Sequence, residues 1–229
     1  MSFVLPPPPV PSLAVAGRDE RFAVRRIWCV GRNYAEHARE MGHDPEREPP
    51  FFFAKPADAL VEDGATVPYP PATADLHYEG ELVVAIGRAG RDIDEADALS
   101  HVWGYAAGND LTRRDLQSEA KALRRPWALA KGFDLSAPVG ALVPAEEIGH
   151  PATGMLRLTV NGAVRQEADI AEMIWPVPGI LAHLSRLVEL QPGDLIMTGT
   201  PAGVGALKRG DVCRVEIDGV GAVETAIEA

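Results

Sequence analysis

His77-Tyr78-Glu79-Gly80-Glu81-Leu82-Val83-Val84-Ala85-Ile86-Gly87 holds two patterns that conflict. Its second half is continuously apolar, as in a strand buried on both faces. In its first half Glu79 and Glu81 stand two apart, so both carboxylates leave the same face of that strand. Two like charges at the mouth of a buried strand repel each other and lose hydration. A cation between them, or a proton on one of them, resolves the conflict. In an arbitrary chain a Glu-x-Glu is most often a solvated strand end, so the case for a cation rests on the remaining residues.

Downstream, Val102 to Ala107 reads as a strand that ends abruptly in Gly108-Asn109-Asp110-Leu111-Thr112-Arg113-Arg114-Asp115. Such an apolar-to-charged change at a strand end is where sites are commonly built. Leu116 to Arg124 continues as a helix or an irregular segment, and Trp127 to Ala130 leads into Lys131. Lys131 is the one lysine in an apolar setting, where desolvation favours the neutral amine unless an anion joins it. The plain alternative is a lysine reaching out of an apolar strand end.

Upstream, Arg25 to Val30 is a strand ending at Gly31, and Asn33 reads as the N-cap of a helix, Tyr34 to Met41, closed by Gly42. His37 and Glu40 share one face of that helix. The charged and proline-rich loop His43 to Pro50 precedes Phe51 to Ala54, read as a buried strand halted by Lys55-Pro56.

In the last third, Leu156 to Val160 and Ala163 to Gln166 flank Asn161-Gly162, a hairpin signal. Pro178 to Leu190 is amphipathic, with Ile180, Leu181, Leu184, Leu187 and Val188 on one face. Asp194 to Met197 is a strand. The glycine-rich Thr198 to Gly205 after it exposes backbone N–H groups that suit close approach of an oxyanion; no Gly-Lys-Ser/Thr follows, so it is not a P-loop. Val212 to Ile217 and Gly221 to Ile227 pair across Asp218-Gly219. Many strands, several hairpins and three or four short helices predict an α+β fold.

The 229 residues are 46% hydrophobic, enough for one substantial core. Residues 1–24, with prolines at 6 to 9, read as an extended N-terminal arm ahead of a domain over 25–229, without the pattern of a signal peptide. No apolar run is long enough to span a membrane. Cys29 and Cys213 give no disulfide framework and suit a cytoplasmic setting, although a pairing between them stays open. A net charge of −11 with four lysines argues against nucleic acid and membrane partners. A small anionic substrate is compatible with it, because local arginines and a metal can outweigh the global field.

Glu79, Glu81 and Asp110 are oxygen donors near the ends of buried strands, and no cysteine or histidine cluster has zinc-like spacing. Three carboxylates with water completing the shell suit Mg²⁺ or Mn²⁺, and Ca²⁺ less well. With His37 as base, Glu40 orienting it and Lys131 as a second cation, the chemistry is metal-assisted hydrolysis or enolate formation.

Six stretches, in order, resemble the fumarylacetoacetate hydrolase family: Val30 to His37, Phe53 to Pro56, His77 to Leu82, Asn109 to Gln117, Leu129 to Phe133 and Thr198 to Gly205. The resemblance covers about Ile27 to Ile227 and is nearest to short, single-domain bacterial fumarylpyruvate hydrolases. It implies a mixed β-roll with a few short helices, commonly a homodimer. It also implies that Glu79, Glu81 and Asp110 ligate one Mg²⁺ or Mn²⁺, with Ca²⁺ as a non-native occupant. His37 and Glu40 would activate water and Lys131 would sit beside the bound keto acid. Arg114, Gln117 and Thr200 would contact its carboxylate or carbonyl oxygens, with Arg32 and Arg113 as candidates for a far carboxylate. Longer members place a further acidic ligand upstream of the Glu-x-Glu, and this chain shows none. The implied reaction cleaves a carbon–carbon bond of a 2,4-diketo acid, fumarylpyruvate giving fumarate and pyruvate, as in gentisate-type aromatic catabolism. The same site also suits an acylpyruvate hydrolase, an oxaloacetate decarboxylase or a 2-oxo diacid isomerase; a metal-dependent binding module without catalysis is the rival from another class.

Overall fold

The computed structural model describes residues 3–40 and 48–229. The closing turn proposed at Met41-Gly42 and most of the His43 to Pro50 loop lie outside the described residues. Among the described residues, two large sheets, three small ones and their connections make up an α+β roll. The central sheet has six strands in the order Val143–Pro144, Val102–Asn109, Gly80–Ile86, Asp194–Met197, Arg26–Gly31 and Phe51–Lys55. Only the Asp194–Met197 and Arg26–Gly31 pair is parallel, so the sheet is mixed. A five-stranded sheet stands against it, in the order Ala163–Asp169, Met155–Val160, Val212–Ile217, Gly221–Ile227 and Ala65–Val67.

Every residue of Gly80–Ile86 is buried, and the period-two alternation of a strand explains how. Leu82, Val84 and Ile86 enter the larger core with Leu156, Leu158, Val215 and Val223 of the five-stranded sheet. Val83 and Ala85 enter a second core with Leu13, Ile27, Cys29, Val139, Leu142, Leu195 and Met197. Each fully buried valine or leucine contributes on the order of 1.5–3 kcal/mol, so the strand that carries the acids is anchored on both faces.

Tyr78 ends the preceding strand, Leu76–Tyr78, which belongs to a separate three-stranded sheet with Thr112–Arg113 and Gly205–Leu207. Glu79 therefore sits at the step between two sheets. Gly80 fills the position where that step meets the larger core. A Cβ there would lie 3.2 Å from both Leu158 Cδ1 and Val215 Cγ1, so even a methyl between the two glutamates would require those side chains to shift.

Other elements match the sequence patterns closely. The Met155–Val160 and Ala163–Asp169 hairpin turns through Asn161 and Gly162 with φ of 52° and 78°, the double left-handed geometry that Asn-Gly favours. The closing hairpin pairs Val212–Ile217 with Gly221–Ile227.

Several expectations change. Phe51–Lys55 is an edge strand and mostly not buried, because nothing pairs beyond it in the sheet; only Lys55 is enclosed. The amphipathic helix runs Val177–Leu187 and buries Ile180, Leu181 and Leu184, but Leu187 is exposed and Val188 is already extended. Asn33 does not behave as a helix cap. Its side chain donates to Trp175 O and Thr198 O and accepts from Trp175 N, tying three segments together. Lys131 ends a one-turn helix, Ala128–Lys131, instead of a strand. Within residues 1–24, read as an extended arm, Ser12–Ala14 pairs with Arg21–Ala23, and Leu13 packs into the second core. Cys29 and Cys213 are both free and buried.

Candidate active site

Glu79, Glu81 and Asp110 come together because two strands pair in a defined register. Glu81 opposes Gly108 and Gly80 opposes Asn109, which leaves Glu79 and Asp110 facing each other just past the ladder. Asp110 N donates to Glu79 O at 2.8 Å, and Asn109 Oδ1 accepts from Glu79 N at 2.9 Å, locking that corner. One carboxylate oxygen from each acid lies within 4.8 Å of the other two, and all three residues are buried.

Buried cations surround this trio. Lys131 Nζ donates to Glu79 Oε2 at 2.7 Å and to Asp110 Oδ2 at 2.6 Å. Arg114 donates to Glu79 Oε1 and, at 2.5 Å, to Gln117 Oε1. Lys55, which sequence patterns marked only as a strand stop, proves fully buried. Its Nζ donates to the carbonyls of Leu111 and Lys131 and stands 2.8 Å from Asp110 Oδ1. That last contact is an ion pair without hydrogen-bond alignment, and Asp110 Oδ1 has no hydrogen-bond partner. Nothing in the local sequence separates Lys55 from a surface lysine; its burial comes from the packing of the Ala128–Lys131 turn beneath it.

The charges within the site are unequal. Burial works against ionised Glu79, but Lys131, Arg114 and His37 outweigh it and hold its carboxyl below the usual carboxylate range. Glu81 goes the other way: burial, then Asp110 and Glu79, push its carboxyl well above that range. Lys131 and the N–H of Gly199, which donates to Oε2 at 2.7 Å, oppose this without overcoming it. Burial also opposes the charge on Lys131, yet Asp110 and Glu79 keep its pKa above the ordinary lysine value. Among the described residues Glu81 thus has no ion-pair partner, and Asp110 Oδ1, beside Lys55, accepts no hydrogen bond. A divalent cation that prefers oxygen fits that deficit in charge, donor type and size.

The glycine-rich loop serves this site in an unexpected way. The oxyanions its N–H groups meet are carboxylates of the chain itself: Gly199 N donates to Glu81, and Gly203 N to Glu40 at 3.2 Å. Gly199 takes φ of 98°, and a Cβ there would lie 2.7 Å from Asn33 Cβ. Only glycine fits.

His37 lies on the helix Ala35–Glu40, buried, with Nδ1 3.2 Å from Glu40 Oε2. Burial lowers its pKa, opposed by Glu79 and Glu40. With Nδ1–H donated to Glu40, the neutral ring presents Nε2 as an acceptor. His37, Glu79, Glu81, Arg114, Gln117, Lys131, Thr200 and Arg32 all line one cavity of about 30 Å³, partly open to solvent, with Phe53, Lys121 and Trp127. Thr200 Oγ1 is held by Gln166 Nε2 at 2.8 Å. Arg113 is not in this wall: its guanidinium stacks 4.4 Å over Phe133, and its Nε is buried without a partner. Tyr34 is buried but also outside the cavity lining.

Residues 26–228 match the family described as fumarylacetoacetate (FAA) hydrolase, C-terminal, and the chain belongs to that family. Among individual proteins, it is similar to a fumarylpyruvate hydrolase from Pseudomonas aeruginosa solved in complex with Mn²⁺ and pyruvate. The two are 51% identical, with a TM-score of 0.97 over 99% of each chain. It is also similar to the mitochondrial oxaloacetate tautomerase FAHD1 of Rattus norvegicus, 45% identical over 204 residues, 89% of this chain and 92% of that protein. The mitochondrial oxaloacetate decarboxylase of Dictyostelium discoideum is 41% identical over 197 residues, 86% and 90% of the two chains.

Proposed function

We propose that this chain hydrolyses a carbon–carbon bond of a 2,4-diketo acid, converting fumarylpyruvate to fumarate and pyruvate with Mn²⁺ or Mg²⁺. The observation that carries the reading is a buried three-carboxylate cluster in which Glu81 has no ion-pair partner among the described residues, with His37, backed by Glu40, lining the same cavity as Glu79 and Glu81. The likeness to the P. aeruginosa enzyme supports it.

Glu79, Glu81 and Asp110 would hold the cation. Bound there, it supplies a Lewis acid and a template for the carboxylate and keto oxygens of a 2-oxo acid. His37, oriented by Glu40, accepts a proton from water at Nε2, and the water oxygen bonds to the distal carbonyl carbon. The bond between that carbon and the pyruvyl methylene then breaks. Its electron pair leaves with the pyruvate half, which takes up a proton, and the acyl half departs as fumarate. Lys131 has two N–H groups on Glu79 and Asp110, so its third can face the oxygen on which charge collects. Arg114, Gln117 and Thr200 contact the substrate carboxylate or carbonyl oxygens in this reading.

Likeness to the tautomerase and the decarboxylase favours a second reading, in which the same site acts on oxaloacetate. Decarboxylation needs the electron sink but no water-activating base. Turnover of fumarylpyruvate, acetylpyruvate and oxaloacetate by the Mn²⁺-loaded enzyme and by His37→Ala separates the two. Loss of acylpyruvate cleavage with oxaloacetate turnover retained in the variant is expected. A wild-type enzyme inert to both acylpyruvates but active on oxaloacetate would reject the hydrolase assignment.

A further inference from the structure

Three aromatic rings stand in contact beside the cavity, and each carries a cation. Phe51 meets Trp127 edge-on with centroids 4.9 Å apart, and Phe53 lies 5.8 Å from Trp127 and 6.0 Å from Phe51. Lys131 Nζ is 5.0 Å from the Phe53 centroid, Lys121 Nζ 5.2 Å from that of Trp127, and the Arg32 guanidinium 5.9 Å from that of Phe51. The three charges differ in what satisfies them. Lys131 is held by Glu79 and Asp110. The side chains of Lys121 and Arg32, both in the cavity lining, make no ion pair or hydrogen bond among the described residues.

These two cations also resist their own arrangement. Burial lowers the pKa of Lys121, and Arg114, Arg32 and Lys131 add to the effect against the pull of Glu79. Arg32 adopts a φ of 60°, a left-handed conformation that a non-glycine residue reaches only under strain. Strain of this kind persists where the surroundings impose it, commonly at ligand-binding positions. Two unpaired cations, both facing a cavity and set on aromatic faces, form an electrostatic well for an anion.

We propose that Lys121 and Arg32 bind a second carboxylate, beyond Lys131 along the aromatic wall, and so select dianionic 2-oxo acids over monoanionic ones. Arg113, committed to Phe133 outside the cavity, has no part in it. The substrate's identity rests on the hydrolase reading; the charge it must carry does not.

The test uses two ligands with the same five-carbon chain, 2-oxoglutarate and 2-oxopentanoate, which differ by one terminal carboxylate. Calorimetric titration of the Mn²⁺-loaded wild-type protein should show the diacid binding roughly 10- to 100-fold tighter, the range of one or two charge-assisted hydrogen bonds. Lys121→Met and Arg32→Gln should each pull that ratio toward one, and Lys121→Arg should restore most of it. In turnover, the ratio of kcat/KM for fumarylpyruvate over acetylpyruvate should fall in parallel. No diacid preference in the wild type, or a wild-type ratio kept by both Lys121→Met and Arg32→Gln, overturns the proposal. If the wild type cleaves neither acylpyruvate, the hydrolase reading fails while the binding ratios still decide the subsite.

Discussion

Glutamine at position 81 should make the metal-free protein more stable, and increasingly so as pH rises. Glu81 is buried beside Asp110 and Glu79, and its carboxyl is pushed well above the usual range. The folded chain therefore keeps a proton on Glu81 at pH values where the unfolded chain has released it. A group held this way drains stability as pH climbs from the ordinary carboxylate value toward its own raised one. The slope for one proton is about 1.4 kcal/mol per pH unit. For a domain of this length that is about 3–5 °C in Tm per unit. Glu81→Gln mimics the protonated acid and can still accept the Gly199 N–H, so it removes the drain without removing the bond. Scanning calorimetry in chelator from pH 5 to 8 should show the variant's Tm advantage widening with pH. Added Mn²⁺ at about 100 times its Kd should raise the wild-type Tm by about 5–11 °C, corresponding to about 2.7 kcal/mol, and should fail to do so in the variant. Parallel Tm curves in chelator would show that Glu81 is ionised in the metal-free fold and would refute the electrostatic reasoning. An undiminished Mn²⁺ response in the variant would remove Glu81 from the cation site.

His37→Ala should lower acylpyruvate cleavage by about 10²–10⁴-fold while leaving Mn²⁺ affinity, read by calorimetry, in place. Because burial lowers the His37 pKa and Glu40 opposes that, the acid limb of kcat/KM should lie below the usual histidine range, and Glu40→Gln should move it lower still. Gly80→Ala forces a methyl against Leu158 and Val215; overpacking of about 1–3 kcal/mol should lower Tm by about 2–12 °C and weaken Mn²⁺ binding as the flanking glutamates shift. Lys55→Met leaves two carbonyls and Asp110 without their ammonium, a loss of about 3–5 kcal/mol that should lower Tm by 6 °C or more, at roughly 2 °C per kcal/mol. A Tm unchanged in that variant would show that Lys55 contributes no net stability.

Much of this arrangement was legible in the sequence because it follows from local periodicity. A continuous apolar run has to be buried on both faces, and Glu79 and Glu81 inherit a shared side from the period of the strand. Asn161-Gly162 announced its hairpin because the turn geometry is a property of two residues. What stayed hidden depends on distant packing. Lys55 before Pro56 looks like a strand end, and only the Ala128–Lys131 turn makes it a buried ion. Arg113 and Arg114 are neighbours at a strand-to-helix junction, and which one enters the cavity depends on where Phe133 and Glu79 lie. Lys121 gave no local signal, since its setting is an aromatic ring six residues on together with an arginine from another segment. The hydrogen bonds of Asn33 likewise run to residues more than a hundred positions away.

The three acids ride on one antiparallel strand pair locked between two cores, whereas His37 and Glu40 ride on a six-residue helix outside the sheets. The frame that concentrates charge and the attachment that handles protons can therefore diverge separately. On the proposed roles, a mutational library confined to residues 35–40 would vary the proton-handling chemistry while leaving untouched the strand pair that carries the three acids. Laboratory evolution of this fold toward a new cleavage or isomerisation would begin most economically there.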